Sequence, residues 1–190
     1  LTGVDWAIDI SSATLSERWF KVFIKNGNEY FEGRNLVGSA IWLSPSIDIS
    51  GHTNISFSLA AVKSGTMETA DIFNTEYRID AGTWTAAATN GSLNDDFTST
   101  TVSQTGLNGN TLEIRVTMTN DADHERHLLD DILVQGTVVT SSPTVTFDSA
   151  TSSETETDAT FATSGIPITL TNYAADVTVT AAVNGSSTAE

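Results

Sequence analysis

The sequence predicts an all-β protein whose first part is a sandwich of two sheets. Three observations carry that prediction. Apolar residues alternate with polar ones at a period of two, as in Leu112, Ile114, Val116 and Met118 against Glu113, Arg115, Thr117 and Thr119. Turn signals such as Asn26-Gly27, Asp80-Ala81-Gly82 and Asn90-Gly91 recur at the spacing of about 8–12 residues found in sandwiches. No stretch of roughly ten residues or more shows a helical 3.6 period.

Taken in order, Val4, Trp6, Ile8 and Ile10 alternate with Asp5, Ala7, Asp9 and Ser11, which predicts a half-buried strand. Ser11 to Glu17 reads as a polar loop with room for a short helical turn. Trp19 to Ile24 is the next strand. Asn26-Gly27-Asn28 turns it into Tyr30-Phe31, so Lys21 to Phe31 is a hairpin. Glu32 and Asn35 are expected in a short loop before the strand Ala40 to Leu43, which Pro45 ends. Ile47 and Ile49, then Ile55, Phe57 and Leu59, carry two further runs. Ser64 to Thr69 is a loop, and Ile72 to Ile79 is a strand with Phe73, Thr75, Tyr77 and Ile79 on one face. Trp84 opens the return strand. Asn90 to Asp96 is another loop, and Leu112 to Met118 is the cleanest strand of all.

The segment His124 to Gly136 organises the rest. Leu128, Ile132 and Val134 have strand spacing, so one face should be buried; Asp130 shares their phase and Asp131 points the other way. A carboxylate inside an apolar strand needs a cation, a metal or several donors. A hard cation such as Ca²⁺ answers that need, because it takes carboxylate and carbonyl oxygens. The plainer reading leaves one Asp hydrogen-bonded at a strand end and the other solvated.

The texture changes at Thr137. Residues 138–143 read as a linker of Val, Thr, Ser and Pro, which divides the chain into 1–137 and 144–190. The second part alternates Thr with Ile168 and Leu170, and with Val177 and Val179, as strands do. It is too short to bury a good core alone, and the natural protein is expected to continue past Glu190. Leu1 reads as the start of a mature or trimmed chain, since no signal peptide precedes it.

Composition bounds the function. There are 24 acidic and 8 basic residues, a formal charge of −16. That excludes nucleic acid and anionic membrane surfaces as expected partners, because phosphate recognition needs a basic face. There is no cysteine, hence no disulfide and no thiolate metal site. No apolar run reaches the roughly 18 residues of a membrane span, so no membrane insertion is expected.

Two resemblances rest on quoted residues. Phe31-Glu32-Gly33, Trp42, the Tyr77-to-Trp84 hairpin, Asn108-Gly109-Asn110 and Leu129-Asp130-Asp131-Ile132 make residues 1–137 resemble the jelly-roll modules related to MAM domains in secreted bacterial proteins. Val145-Thr146-Phe147-Asp148-Ser149-Ala150, the acidic Glu154-Thr155-Glu156-Thr157-Asp158 and the Ile166-to-Leu170 strand make residues 144–190 similar to the opening half of an immunoglobulin-like Calx-beta repeat. Such a repeat would continue into an Asp-Tyr segment, so a complete repeat-type calcium site is not expected here. The pairing is similar to surface proteins of bacteria that use type IX secretion, some of which carry nucleases or other hydrolases elsewhere. The resemblance implies an extracellular or bacterial cell-surface location.

If the first and last strands of the jelly roll lie side by side, Asp5 or Asp9, Glu32, Asp130 and Asp131 converge. Glu32, Asp130 and Asp131 are the first candidates for Ca²⁺ ligands, with Asp5, Asp9, Asn35 and Glu125 behind them. The plainer reading of Asp5 and Asp9 is an outward strand face. His124 and His127 flank Glu125-Arg126, but they lack a third or fourth zinc ligand, so both are read as polar loop residues. Trp6 and Trp42 share phase with aliphatic neighbours and belong to the core; Trp84 beside a turn is the candidate glycan contact. Asp148-Ser149-Ala150 fits a short bacterial O-glycosylation signal at Ser149. No nucleophile elbow, phosphate loop or zincin helix is present. Tyr30, Tyr77, Arg78 and Arg115, the residue types of a jelly-roll lyase, are scattered. The sequence thus predicts a non-catalytic, calcium-stabilised binding or adhesion module of a larger secreted or surface protein, with a glycan or surface protein as partner. The alternative is a spacer or accessory domain of a secreted hydrolase.

Overall fold

The computed structural model describes residues 5–14, 19–140, 144–147 and 168–171. The chain divides into two compact units, Leu1–Val139 and Thr140–Glu190. The first unit contains β1 (Ala7–Thr14), β2 (Trp19–Lys25), β3 (Asn28–Arg34), β4 (Leu36–Leu43), β5 (Ile47–Asp48), β6 (His52–Ser64), β7 (Phe73–Ile79), β8 (Thr85–Ala86), β9 (Ser92–Leu93), β10 (Ser99–Leu107), β11 (Thr111–Asn120) and β12 (Arg126–Val138). One sheet runs β1-β4-β11-β7-β8, with β5 added on β11 and β9 on β7. The other runs β10-β6-β12-β3-β2. Every pair is antiparallel. In the second unit, β13 (Thr144–Phe147) pairs with β14 (Ile168–Thr171). The described residues contain no helix, so none long and apolar enough to cross a membrane.

The core lies between the two sheets. Phe31, Phe57, Leu59 and Leu129 from one face meet Leu36, Trp42, Phe73, Leu112, Ile114, Val116 and Met118 from the other. β11 supplies its half by strict alternation: Leu112, Ile114, Val116, Met118 and Asn120 are buried and the residues between them are not. Asn120 is the polar exception. Its Oδ1 accepts from the Leu36 N–H at 3.0 Å and its Nδ2 donates to the Gly33 carbonyl at 3.0 Å. The side chain therefore replaces the ladder bonds lost where β3 passes into β4. The β2–β3 hairpin turns on Asn26 (φ 54°) and Gly27 (φ 84°), both left-handed as a type I′ turn requires.

The structure corrects several local expectations. Residues Ser12, Ala13 and Thr14 extend β1 along Ser39, Gly38 and Val37 where a polar loop was expected. Backbone pairing needs no apolar side chains, and Gly38 admits the close approach: a Cβ there would stand 2.2 Å from the Ser12 carbonyl oxygen. Ile8 is 44% exposed although its neighbours Trp6 and Ile10 pack on the core. Glu32 sits inside β3, between Lys21 and Leu128, and the β3–β4 connection is Asn35 alone, at φ 48°.

β12 departs most. Before Asp130 its buried residues are His127 and Leu129, so Leu128 lies on the opposite face from the core. Between Asp130 and Leu133 the register against β6 shifts, with Asp130 opposite Ala60 and Leu133 opposite Ser58. Asp131 takes φ 50° in this bulge. The extra residue resets the alternation, and Ile132 and Val134 pack on the core beyond it. Strand phase therefore does not carry from Leu128 to Ile132. The first and last strands do not lie side by side either: β1 pairs with β4, while β12 is the centre of the other sheet.

Candidate functional site

The loop from β6 to β7 and the loop from β11 to β12 meet at one end of the sandwich. Gly65, at φ 103°, makes the meeting close: a Cβ on it would lie 2.4 Å from the His124 carbonyl oxygen. Each loop is a short turn closed on itself. In the first, the Glu68 N–H donates to Asp71 Oδ2 at 2.8 Å and the Asp71 N–H donates to the Glu68 carbonyl at 2.9 Å. In the second, the Ala122 N–H donates to Glu125 Oε2 at 2.8 Å and the Glu125 N–H to the Ala122 carbonyl at 3.1 Å. Thr119 on β11 anchors the first loop by accepting from the Ile72 N–H at 3.0 Å and donating to the Ala70 carbonyl at 3.1 Å.

These turns gather Glu68, Asp71, Asp121 and Glu125, each with one carboxylate oxygen within 4.8 Å of the others. Asp71 and Glu125 are buried; Glu68 and Asp121 are exposed. Burial foremost, with the charges of Glu125 and Glu68 adding to it, pushes the Asp71 carboxyl up to about 6. Burial also pushes Glu125 up, with the Glu68 charge adding and the Ala122 N–H opposing. Glu125 is fully buried and its Oε1 has no hydrogen-bond partner. No Lys or Arg ion-pairs with any of the four among the described residues. Four crowded carboxylates with a buried, unanswered oxygen form an all-oxygen donor set that suits a hard divalent cation. The cluster can bind a metal ion.

Of the seven metal candidates read from the sequence, only Glu125 belongs to this cluster. Asn35 is next to it: its Nδ2 donates to Asp123 Oδ1, while Arg34 Nε donates to the Asp123 carbonyl at 2.8 Å. Both residues hold the β11–β12 loop in place. Glu32 is fully buried, with Arg126 Nε 3.9 Å from its Oε1. Asp5 and Asp9 are exposed, and Asp9 Oδ1 accepts from the Ser11 N–H at 2.9 Å. Asp130 and Asp131 lie at the β12 bulge, where Asp130 Oδ1 accepts from the Asp131 N–H at 2.8 Å. The other three, Glu68, Asp71 and Asp121, are not among those candidates. Their signal was present: both loops carry acidic residues three or four apart directly after a long strand.

His127 is not a loop residue. It is fully buried on β12, stacked on Phe97 at 6.2 Å and 8° and edge-on to Phe73. Burial first, then the charge of Lys63, lowers its imidazole to about 4, so it is neutral at physiological pH and packs as an aromatic.

Trp84 is half-buried beside the open face of the β1-β4-β11-β7 sheet. Arg78 and Arg115 approach its ring centroid at 4.7 and 4.5 Å. Each guanidinium is held by a carboxylate across the β7–β11 ladder: Arg78 Nε on Glu113 Oε2 and Arg115 Nε on Glu76 Oε2, both at 2.7 Å. Trp84 and both arginines border a groove of about 310 Å³ with Asp9, Ile41 and Leu43. Ser149 lies outside the described residues.

No family model matches the chain, and no curated protein matches it by sequence. Among solved structures, the enzymatically active domain of tailspike protein 4 from bacteriophage CBA120 aligns with 70% of this chain and 19% of its own, at 13% identity and a TM-score of 0.43. The K3 cleaved adhesin domain of Lys-gingipain from Porphyromonas gingivalis aligns over 58% of this chain and 75% of its own, at 10% identity and 0.39. The K2 adhesin domain of Lys-gingipain aligns over 70% and 83%, at 15% identity and 0.39. Likenesses this distant assign no function. That reading rests on the residues of this chain.

Proposed function

We propose that the first unit is a non-catalytic binding module of an extracellular protein, stabilised by Ca²⁺ held between the β6–β7 and β11–β12 loops. The observation that carries the metal is the buried, unpartnered Glu125 Oε1 at the meeting point of four carboxylates. Ca²⁺ is the ion of choice because it accepts several carboxylate oxygens in flexible geometry, whereas Mg²⁺ demands a near-ideal octahedron. Its role here is structural: it neutralises the cluster and ties two loops that otherwise repel each other.

The face for a partner is the open sheet around Trp84, with a glycan as ligand. Trp84 offers an aromatic surface, Ile41 and Leu43 an apolar floor, and Arg78, Arg115 and Asp9 donors and acceptors for hydroxyl groups. The arginines are already fixed by Glu113 and Glu76, so little side-chain freedom is lost on binding.

The test is a thermal melt with EDTA and with millimolar Ca²⁺, on wild type, Glu125→Gln and Asp131→Asn. At a calcium concentration 100 times Kd the wild type should gain about 2.7 kcal/mol, a rise of several degrees. Glu125→Gln should lose the response and Asp131→Asn should keep it. A response lost in Asp131→Asn instead would return the metal to the β12 bulge, and identical melts throughout would end the calcium reading. Loss of glycan-array binding in Trp84→Ala, with the calcium response unchanged, would establish the sheet face.

A further inference from the structure

A second site stands apart from both the carboxylate cluster and the Trp84 face. It is a cavity of about 400 Å³ whose walls include Trp6, Trp42, Pro45, Ile132 and Val134, with Asp130 and Asp131 on the same lining. Three features of it are unexplained by packing. Trp42 is 3% exposed, yet its indole N–H has no hydrogen-bond partner; a buried donor left open is costly unless something fills it. Asp130 and Asp131 have no cationic partner among the described residues. The bulge that presents them places a non-glycine residue at φ 50° and interrupts the central strand of a sheet. Bulges of this kind re-aim side chains, and strained residues persist where the surroundings use them.

We infer that this cavity binds an organic ammonium ion, the protonated amine or quaternary ammonium end of a small ligand or side chain. Trp6 and Trp42 both line the cavity, and indoles attract cations. The two carboxylates supply its counter-charge in a partly desolvated mouth. The Trp42 N–H serves a hydrogen-bond acceptor elsewhere on the ligand. The apolar aliphatic wall excludes a bare, strongly hydrated metal ion and favours an ammonium carried on carbon. A chain of charge −16 draws such cations toward it. The site requires neither the calcium cluster nor the glycan face.

The experiment is a tryptophan-fluorescence and NMR titration of the whole chain at saturating Ca²⁺. Three cationic probes separate the sources of the ammonium: Nα-acetyl-lysine methylamide for a peptide, choline for a quaternary headgroup, and glucosamine for an amino sugar. Each is paired with a neutral counterpart of similar shape: acetylnorleucine methylamide, dimethylbutanol and glucose. At least one cation should bind saturably and about tenfold or more tighter than its neutral counterpart. Its affinity should fall about tenfold in Asp130→Asn/Asp131→Asn. The asparagines keep both the left-handed turn and the acceptor for the Asp131 N–H, so the fold is retained. Val134→Phe, which fills the cavity without touching a charge, should also block binding, and it serves as the test if the double variant melts early. The inference is overturned if no cation saturates, if the neutral counterparts bind equally, if both variants bind as wild type does, or if a parallel calcium-free titration shows Ca²⁺ displacing the probe competitively.

Discussion

β11 and β12 are both long strands at the middle of a sheet, and they behave oppositely. β11 keeps a period of two over its whole length and sends every second side chain into the core. β12 keeps that period for only a few residues, then spends one on a bulge and restarts in the other phase. The uninterrupted strand works as a wall. The interrupted one gives up some ladder bonding and gains a place where two carboxylates and two aliphatic side chains line the same cavity. Regularity here belongs to stability, and the departure from it to the part of the molecule with chemistry to offer.

The comparison can be broken by truncation. Ile114→Ala in β11 should cost about 2–5 kcal/mol, because its site is closed on all sides and cannot collapse. Ile132→Ala in β12, half-buried at the cavity, should cost about 1 kcal/mol. Urea denaturation of the two variants gives the contrast directly, and equal losses would remove the distinction. Asn120→Ala should cost about 1–3 kcal/mol, since it strands the Leu36 N–H and the Gly33 carbonyl in the interior. A loss below about half a kcal/mol would show that water takes over both groups.

The bulge itself can be probed by backbone preference. Asp131→Val should lose about 1–2 kcal/mol, because a β-branched residue resists a left-handed conformation, while Asp131→Gly should be neutral or gain up to about 1 kcal/mol. The reverse order would mean that β12 runs straight through. A further effect concerns the metal-free cluster. The folded protein holds the Asp71 proton up to about 6, whereas an unfolded aspartate releases it near 3.8. Between those values the folded state binds more protons, so this group makes metal-free stability fall as pH rises from about 4 to about 6. Melts in EDTA across that range should show the decline. Saturating Ca²⁺, which needs the charged form, should reverse it.

Most of the sandwich was legible in the sequence because its strands alternate and its turns carry Asn-Gly or Asp-Ala-Gly. β11 was read correctly from Leu112 to Met118, but not as far as its buried last residue, Asn120. What misled was anything that depends on a single residue's backbone. The bulge at Asp131 leaves no mark on a hydrophobic pattern, since Leu128, Ile132 and Val134 have the same spacing with or without it. Asn35 turns the chain alone where a loop was expected. His127 was read as polar by residue type, yet its ring is neutral and stacks on Phe97. The acidic cluster was half visible: Glu125 was among the candidate ligands, but Glu68 and Asp71 lie some fifty residues earlier in the sequence. Only the pairing of β6, β7, β11 and β12 brings the two together.

Among the described residues, the sheet ends on β2, which pairs with β3 alone. Ile24 on that strand is 65% exposed, and a free backbone edge beside an exposed branched side chain is a surface on which a foreign strand can crystallise. Lys21 on the same strand is exposed, and a second copy would have to bring a like charge against it. A charged side chain at the edge of a sheet is one of the means by which proteins discourage edge-to-edge pairing.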